Sequence, residues 1–280
     1  MKTLELGTEP LPASQEELIR QKCDMYNETA GDLNQYDGYN CDACKNRGHY
    51  WTARKSDLFG FFVETQVDCK CQRVRKAIRK LNKSGLRNVV KNYTFDKYET
   101  PDEWQKDIKQ KAMQFCKDDQ HHWFFIGGQS GAGKSHLGTA IAVHYIRQGL
   151  DVIYMQWLDD IDRIKASVLE TEQYERLMKE YKEVPVLYID DLFKMGNGVG
   201  TKETPFSQAD VKRTFEILNY RYNNPGLITI ISSEKTILEM IGIDEAFAGR
   251  IAEKTQDAGY CINLNKDSKK NWRLKNLTTY

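Results

Sequence analysis

The sequence predicts an α/β fold: strands and helices alternate around a five-stranded parallel sheet, with a small cysteine-rich β module in front and no separate helical lid behind. Three observations predict it. A glycine-rich loop, Gly128-Gln129-Ser130-Gly131-Ala132-Gly133-Lys134-Ser135, stands between the apolar run HWFFIG and a helical pattern that places Leu137, Ala140, Ile141, Val143, Tyr145 and Ile146 before Gly149. A later apolar run, VPVLYID, ends in Asp190-Asp191. Cys41-x-x-Cys44 and Cys69-x-Cys71 lie close together near the start of the chain.

The 280 residues leave room for one nucleotide-binding core and something smaller ahead of it. Lys+Arg 41 against Asp+Glu 40 gives a formal charge of +1, so no global basic field announces nucleic acid and any such contact is local. The longest apolar runs are strand-sized. MKTLELGTEPLPASQEEL carries acids and prolines where a signal peptide requires a basic start and an apolar core, so a cytoplasmic protein without a membrane segment is expected. Seven cysteines, four of them in two tight pairs, point to metal ligands and spare thiols rather than a secreted disulfide framework.

Residues 1–34 read as a lead-in with one helix. Pro10 and Pro12 discourage regular structure, and Ser14-x-x-Glu17 then forms a capping box ahead of Leu18, Ile19, Cys23, Met25 and Tyr26 at helical spacing. Residues 35–88 read as a zinc ribbon. The two cysteine pairs can bring four thiolates around one tetrahedral ion, and GHYWTAR and FGFFVETQV alternate as two antiparallel strands between them. Reduced surface thiols on a hairpin are the plainer alternative, and His49 is a further candidate ligand. A four-thiolate zinc has no open position, so its role is structural. In QRVRKAIRKLNKSGL, Val74, Ile78 and Leu81 share one helix face, and the basic remainder is either a solvated face or a phosphate-binding stripe.

Residues 89–280 form the core. NYTFDKYET is aromatic-rich and suits either core packing or contact with a nucleotide base, and a helix over 102–117 leads into the first core strand. In the loop, backbone N–H groups close on phosphate oxygens, Lys134 reaches the β- and γ-phosphates, Ser135 holds magnesium, and His136 follows in the same segment. DVIYMQW is the second strand, and 158–182 reads as one long charged helix. Of the acids that end the third strand, Asp190 completes the magnesium shell and Asp191 orients the attacking water. Residues 193–207 are a glycine-rich, mobile connection. A helix over 208–222, an Asn-Asn-Pro-Gly turn and the strand LITIISS follow, placing Ser232 and Ser233 where a polar residue meets the γ-phosphate or the lytic water. A helix over 236–257 carries AGRI, YCINLN is the fifth strand, and the tail is short and basic.

Taken together, the cysteine module, the basic helix, NYTFDKYET, GQSGAGKSHL, VLYIDDL, ITIISSE and AGRI resemble the DnaC/DnaI-type replicative-helicase loaders of Gram-positive bacteria and their phages, a branch of the AAA+ ATPases, over residues 35–265. The resemblance implies ATP as the nucleotide and a hexameric replicative DNA helicase as partner, contacted through the N-terminal module. It also implies loading onto single-stranded DNA and self-association through the ATPase domain. It assigns Arg250 as an arginine finger toward the neighbouring subunit's phosphate, Ser233 as a sensor, and a further cation among Lys269, Lys270 and Arg273. Asp191 stands where related motors carry Glu, which implies slow hydrolysis, and Glu234 stands where the family often has Asn. A transposition-helper ATPase and a weakly hydrolytic, ATP-gated adaptor are the alternatives.

Overall fold

The computed structural model describes residues 14–57, 60–83, 89–197, 203–204 and 206–274. The chain forms two compact units, Met1–Gln72 and Arg73–Tyr280, a division ahead of the 88/89 boundary drawn from the sequence.

In the first unit, α1 (Gln15–Glu28) starts at the predicted capping box: Ser14 Oγ accepts from Glu17 N at 3.3 Å and Glu17 Oε2 accepts from Ser14 N at 2.9 Å. The short α2 (Leu33–Asp37) stops at Gly38, whose φ of 73° suits a residue without Cβ. β1 (His49–Lys55) and β2 (Phe62–Asp68) pair antiparallel from His49 opposite Asp68 to Lys55 opposite Phe62. Asn27 ties α1 to this hairpin. Its Nδ2 donates to Trp51 O at 2.8 Å and its Oδ1 accepts from Trp51 N at 2.9 Å, satisfying an edge that has no strand partner among the described residues.

The division falls inside α3 (Cys71–Lys83), whose Val74, Ile78 and Leu81 are buried as their spacing predicts. The second unit continues with α4 (Val89–Asn92) and α5 (Glu103–Phe115), then β3 (Trp123–Gly128), α6 (Lys134–Arg147) and β4 (Val152–Gln156). Next come α7 (Trp157–Ala166), α8 (Thr171–Glu183) and β5 (Val186–Leu192). The predicted single helix over 158–182 is therefore two. At the break Ser167 Oγ turns back to Ile164 O at 2.8 Å, and Leu169 is 95% exposed, so this turn has no apolar contact to hold it in a helix.

Beyond β5 lie the two-residue β6 (Gly196–Asn197) and β7 (Glu203–Thr204), paired antiparallel. Of the stretch 193–207 that was expected to be mobile, residues 198–202 and 205 lie outside the described residues. The remaining elements are α9 (Gln208–Asn223), β8 (Ile228–Ser233), α10 (Ile237–Ile241), α11 (Glu245–Thr255) and β9 (Cys261–Leu264). The helix predicted over 236–257 is also two, because Asp244 starts a new one by accepting from Phe247 N at 2.8 Å. Two 3₁₀ turns, Ser268–Lys270 and Trp272–Leu274, follow.

The five-stranded sheet is parallel throughout, in the order β4-β5-β8-β3-β9. Because β3 lies between β8 and β9 while its chain continues to β4 on the far edge, the loop after β3 opens at a switch point, where α/β sheets place ligands. Alternation along the strands separates two cores. Phe125, Leu187, Ile189 and Ile231 pack with α7, α8, α9 and α11, whereas Phe124 meets Phe115 of α5, ring centroids 5.4 Å apart. Fully burying such side chains stabilises the fold by about 1.5–3 kcal/mol each before entropy is counted.

One buried cation belongs to this core. Arg221 is 1% exposed and donates to Thr229 Oγ1 (2.9 Å), Val184 O (2.8 Å), Lys182 O (3.1 Å), Tyr181 O (3.3 Å) and Ile228 O (2.6 Å), joining the end of α8 to the start of β8. Burial lowers its guanidinium to about 9.

Candidate functional site

The glycine-rich segment forms the loop between β3 and α6. Gly128, at φ 106°, passes so close to the Leu264 carbonyl that a Cβ would collide with it, and Gly133, at φ 82°, leaves no room for one beside the Tyr98 ring. These close approaches shape a cleft of about 370 Å³ at the N-terminus of α6, where backbone N–H groups and the helix dipole favour an anion. Ser130, Gly131, Ala132, Gly133, Lys134, Ser135 and His136 line it, together with Tyr93, Tyr98, Asp191, Lys194 and Glu234.

Lys134 is 6% exposed, and its ammonium donates to Gly128 O at 3.0 Å and Gln129 O at 2.7 Å. Burial holds it below the usual lysine range, against the opposing pull of Glu234, Asp191 and Asp190. A lysine already among phosphate-loop carbonyls, with three acids nearby, is placed to exchange those contacts for phosphate oxygens.

Asp190 is where four elements meet. Its Oδ1 accepts from Ser135 Oγ of α6 at 3.0 Å, from Tyr188 OH of the same strand at 2.8 Å and from Ser232 Oγ of β8. Its Oδ2 accepts from Tyr154 OH of β4 at 2.9 Å. The Ser135–Asp190 pair is a donor set suited to magnesium. Asp191 lies where the β5–β8 register slips, with φ 57°, and its Oδ2 accepts from Lys194 Nζ at 2.6 Å.

The residues alone left the β8 polar role open between Ser232 and Ser233, and the resemblance assigned Ser233. The hydroxyl that reaches Asp190 is instead that of Ser232, while Ser233 Oγ donates to Leu192 O at 2.6 Å and accepts from Lys235 N at 3.0 Å. The pleat accounts for the difference, since adjacent residues face opposite sides of the sheet. Ser130 Oγ donates to Glu234 Oε1 at 3.1 Å.

His136 pairs its Nε2 with Thr94 O at 3.0 Å and packs its ring 5.1 Å from Tyr93 and 5.2 Å from Tyr98. Burial lowers its pKa. The NYTFDKYET segment is thus fastened to the first turn of α6, with Tyr98 OH also donating to Ala132 O at 3.3 Å.

The stretch after β9 is bonded to the loop as well. Gln129 N donates to Leu264 O at 3.1 Å, Asp267 N donates to Gln129 Oε1 at 2.7 Å, and Trp272 N donates to Gly131 O at 2.9 Å. Of the three basic residues considered there, Arg273 lines the cleft, and Lys270 stands 5.8 Å over the Trp104 ring. Arg250 does not line the cleft of its own chain. Half-buried on α11, its guanidinium lies 4.8 Å over the Phe215 ring and 5.5 Å over that of Tyr222, and Nη1 donates to Ala246 O at 2.9 Å.

In the first unit the four cysteine sulfurs all lie within 4.8 Å of one another, with Cys41–Cys69 at 3.8 Å and Cys44–Cys71 at 3.6 Å. Zinc–sulfur bonds of about 2.3 Å set tetrahedral sulfurs about 3.8 Å apart, so the donor set fits one zinc ion. Lys45 and Asn46, at φ 47° and 65°, turn the chain after Cys44, whose sulfur accepts from Gly48 N at 3.2 Å. His49 is not among the clustered ligands.

Tyr154, Tyr188 and Lys194 escaped the sequence reading, and Glu234 entered it only as standing where the family often has Asn. Tyr188 and Asp190 are two apart on one strand and so share a face, a signal that was legible; the Tyr154 and Glu234 contacts depend on strand order, which was not.

Comparison with known proteins gives concordant findings. A profile described as IstB-like ATP binding protein matches residues 43–275. The chain is 30% identical over 230 residues to the phage-like element PBSX protein XkdC of Bacillus subtilis, covering 78% of this chain and 80% of that protein. It is 28% identical over 123 residues to the replicative helicase loader DnaC of Escherichia coli, covering 43% of this chain and 50% of the loader. Among solved structures, a replication initiator DnaA bound to AMPPCP and single-stranded DNA is similar with a TM-score of 0.50 at 20% identity, over 66% of this chain and 55% of DnaA, a likeness of fold.

Proposed function

Since the chain belongs to the IstB-like ATP-binding protein family, within the AAA+ group, we propose that it is an ATP-hydrolysing loader that engages a hexameric replicative DNA helicase and assists its placement on single-stranded DNA. The observation that carries this reading is a cleft lined by Lys134 and Ser135, with Ser135 bonded to Asp190, in a chain that shares sequence with a replicative helicase loader.

In this proposal Gly128 to His136 hold the triphosphate, and Lys134 offsets the charge of its outer phosphates. Ser135 and Asp190 are the residues that would hold magnesium, which when bound neutralises phosphate charge. Asp191 belongs to the group that orients attacking water, and Ser232 takes the place considered for Ser233. Arg250, which does not line the cleft of its own chain, serves a neighbouring copy, so the nucleotide becomes a joint between self-associated ATPase domains of residues 89–280. The zinc-binding module of residues 35–88 contacts the helicase. Among the described residues no helix is long and apolar enough to cross a membrane.

The test is complex formation between the purified chain and the replicative helicase of its host, followed by size-exclusion chromatography with ATP. A complex that is lost in Cys41→Ser supports the reading, and no complex under any nucleotide condition overturns it. The family profile's description favours a second reading, a transposition-helper ATPase. That reading predicts ATP-dependent coating of duplex DNA and no helicase complex.

A further inference from the structure

Three carboxylates, Asp190, Asp191 and Glu234, and the ammonium of Lys194 lie within electrostatic reach of Lys134, and they are engaged differently. Asp190 accepts from four hydroxyls. Asp191 is closed by its ion pair with Lys194 at 2.6 Å. Glu234 instead accepts from a neutral donor, Ser130 Oγ, at 3.1 Å, and lines the cleft half-buried. Its charge acts on both Lys134 and Lys194, so it lies within electrostatic reach of the group placed to hold the outer phosphates.

The position is built by the backbone. Parallel register sets Gly127 opposite Ser233, which brings Glu234 level with Gly128 at the start of the phosphate loop. The next carbonyl, that of Lys235, presses on Gly127 so closely that no Cβ fits there. Glu234 is thereby fixed at its Cα while two methylenes let its carboxylate swing. A carboxylate bonded to one hydroxyl keeps lone pairs for a water molecule, whereas one paired with an ammonium at 2.6 Å must break an ion pair to do the same.

We propose that Glu234 is the carboxylate that takes the proton from the attacking water in ATP hydrolysis, with the Asp191–Lys194 pair beside it; this rests on the ATP-hydrolysing reading of the same cleft. In the step, the water oxygen bonds to the γ-phosphorus as the bond from that phosphorus to the β,γ-bridging oxygen breaks. The bond's electron pair leaves on ADP, and the water proton passes to Glu234 and from there to solvent. Ser130 gives up its hydrogen bond to Glu234 when water takes that place.

The experiment measures ATP turnover and the affinity of a fluorescent ATP analogue on the full chain with magnesium and single-stranded DNA, for wild type and for Glu234→Gln, Glu234→Asp, Asp191→Asn and Lys134→Ala. Glu234→Gln is expected to lower kcat about 100-fold or more while changing nucleotide affinity less than about threefold. Glu234→Asp is expected to keep part of the rate, and Asp191→Asn to lose less than about tenfold. Turnover retained in Glu234→Gln overturns the proposal while the cleft remains an ATPase site. Affinity that falls in step with kcat also overturns it, because Glu234 then only shapes the pocket. Wild-type chain that binds ATP without turnover sinks the hydrolytic reading and this role together, and unaltered ATP affinity in Lys134→Ala sinks the nucleotide site itself.

Discussion

Tyr154 stands directly opposite Tyr188 on the neighbouring parallel strand, and both hydroxyls end on Asp190, at 2.9 and 2.8 Å. With Ser135 and Ser232 they enclose the carboxylate in hydroxyl donors from β4, β5, β8 and α6. Hydrogen bonds to an ionised group contribute about 1.5–3 kcal/mol each. Tyr154→Phe is therefore expected to destabilise the second unit by an amount in that range, read as a lower urea midpoint at unchanged m-value. It should also weaken magnesium-dependent nucleotide binding.

Lys134→Ala removes the ammonium that lies among the loop carbonyls. The fold is expected to survive with near-native circular dichroism. The rise in melting temperature that saturating ATP gives the wild type should vanish, since that rise reports binding to the folded state alone. An undiminished ATP-induced shift contradicts the role given to Lys134.

Arg221 satisfies four carbonyls and one hydroxyl from a buried position. Arg221→Met leaves those acceptors without their donor and should cost about 3 kcal/mol or more. Arg221→Lys recovers little, because an ammonium lacks the planar fork that reaches both α8 and β8. Equilibrium denaturation of the two variants checks this.

Zinc analysis of the purified chain should return about one ion per molecule if the four sulfurs close one site. Thiolates bind the metal and thiols do not, so acidification releases it, and chelation at neutral pH is expected to loosen the first unit. Cys44→Ser should abolish stoichiometric zinc and leave ATP binding to the second unit intact. Zinc retained by Cys44→Ser together with Cys69→Ser contradicts the assignment.

Glu239 provides a pH test away from the cleft. A hydrogen bond from Lys266, then the backbone N–H of Thr236, lower it from its ordinary 4.5 to about 2. A carboxyl depressed in the folded state contributes stability that is complete above about 4.5 and lost as pH falls toward about 2. Glu239→Gln is expected to flatten this part of the stability–pH curve and to leave stability near pH 7 only slightly lower, since the ion pair with Lys266 is exposed.

The phosphate loop, the acids near the end of β5 and the cysteine pairs were legible because each is a local pattern: a fixed spacing, or an apolar run followed by acids. The two helix breaks were harder to read. Charged, helix-compatible residues run through 158–182, and what interrupts them is Ser167 bonding back to Ile164, with Leu169 pointing into solvent. The choice between Ser232 and Ser233 depended on which face of β8 looks toward β5, and Glu234 reaches Ser130 across 104 positions of sequence. Contacts of that kind are set by strand order, which no residue spacing encodes.

The bonds from Leu264, Asp267 and Trp272 to Gln129 and Gly131 give the phosphate loop a second tether besides its own strand. Force applied to the chain beyond Leu274 travels along this tether and arrives at the loop without first crossing the sheet. A fluorophore or surface linkage placed there is a handle on the nucleotide site, and a purification tag intended to be inert belongs at the other terminus.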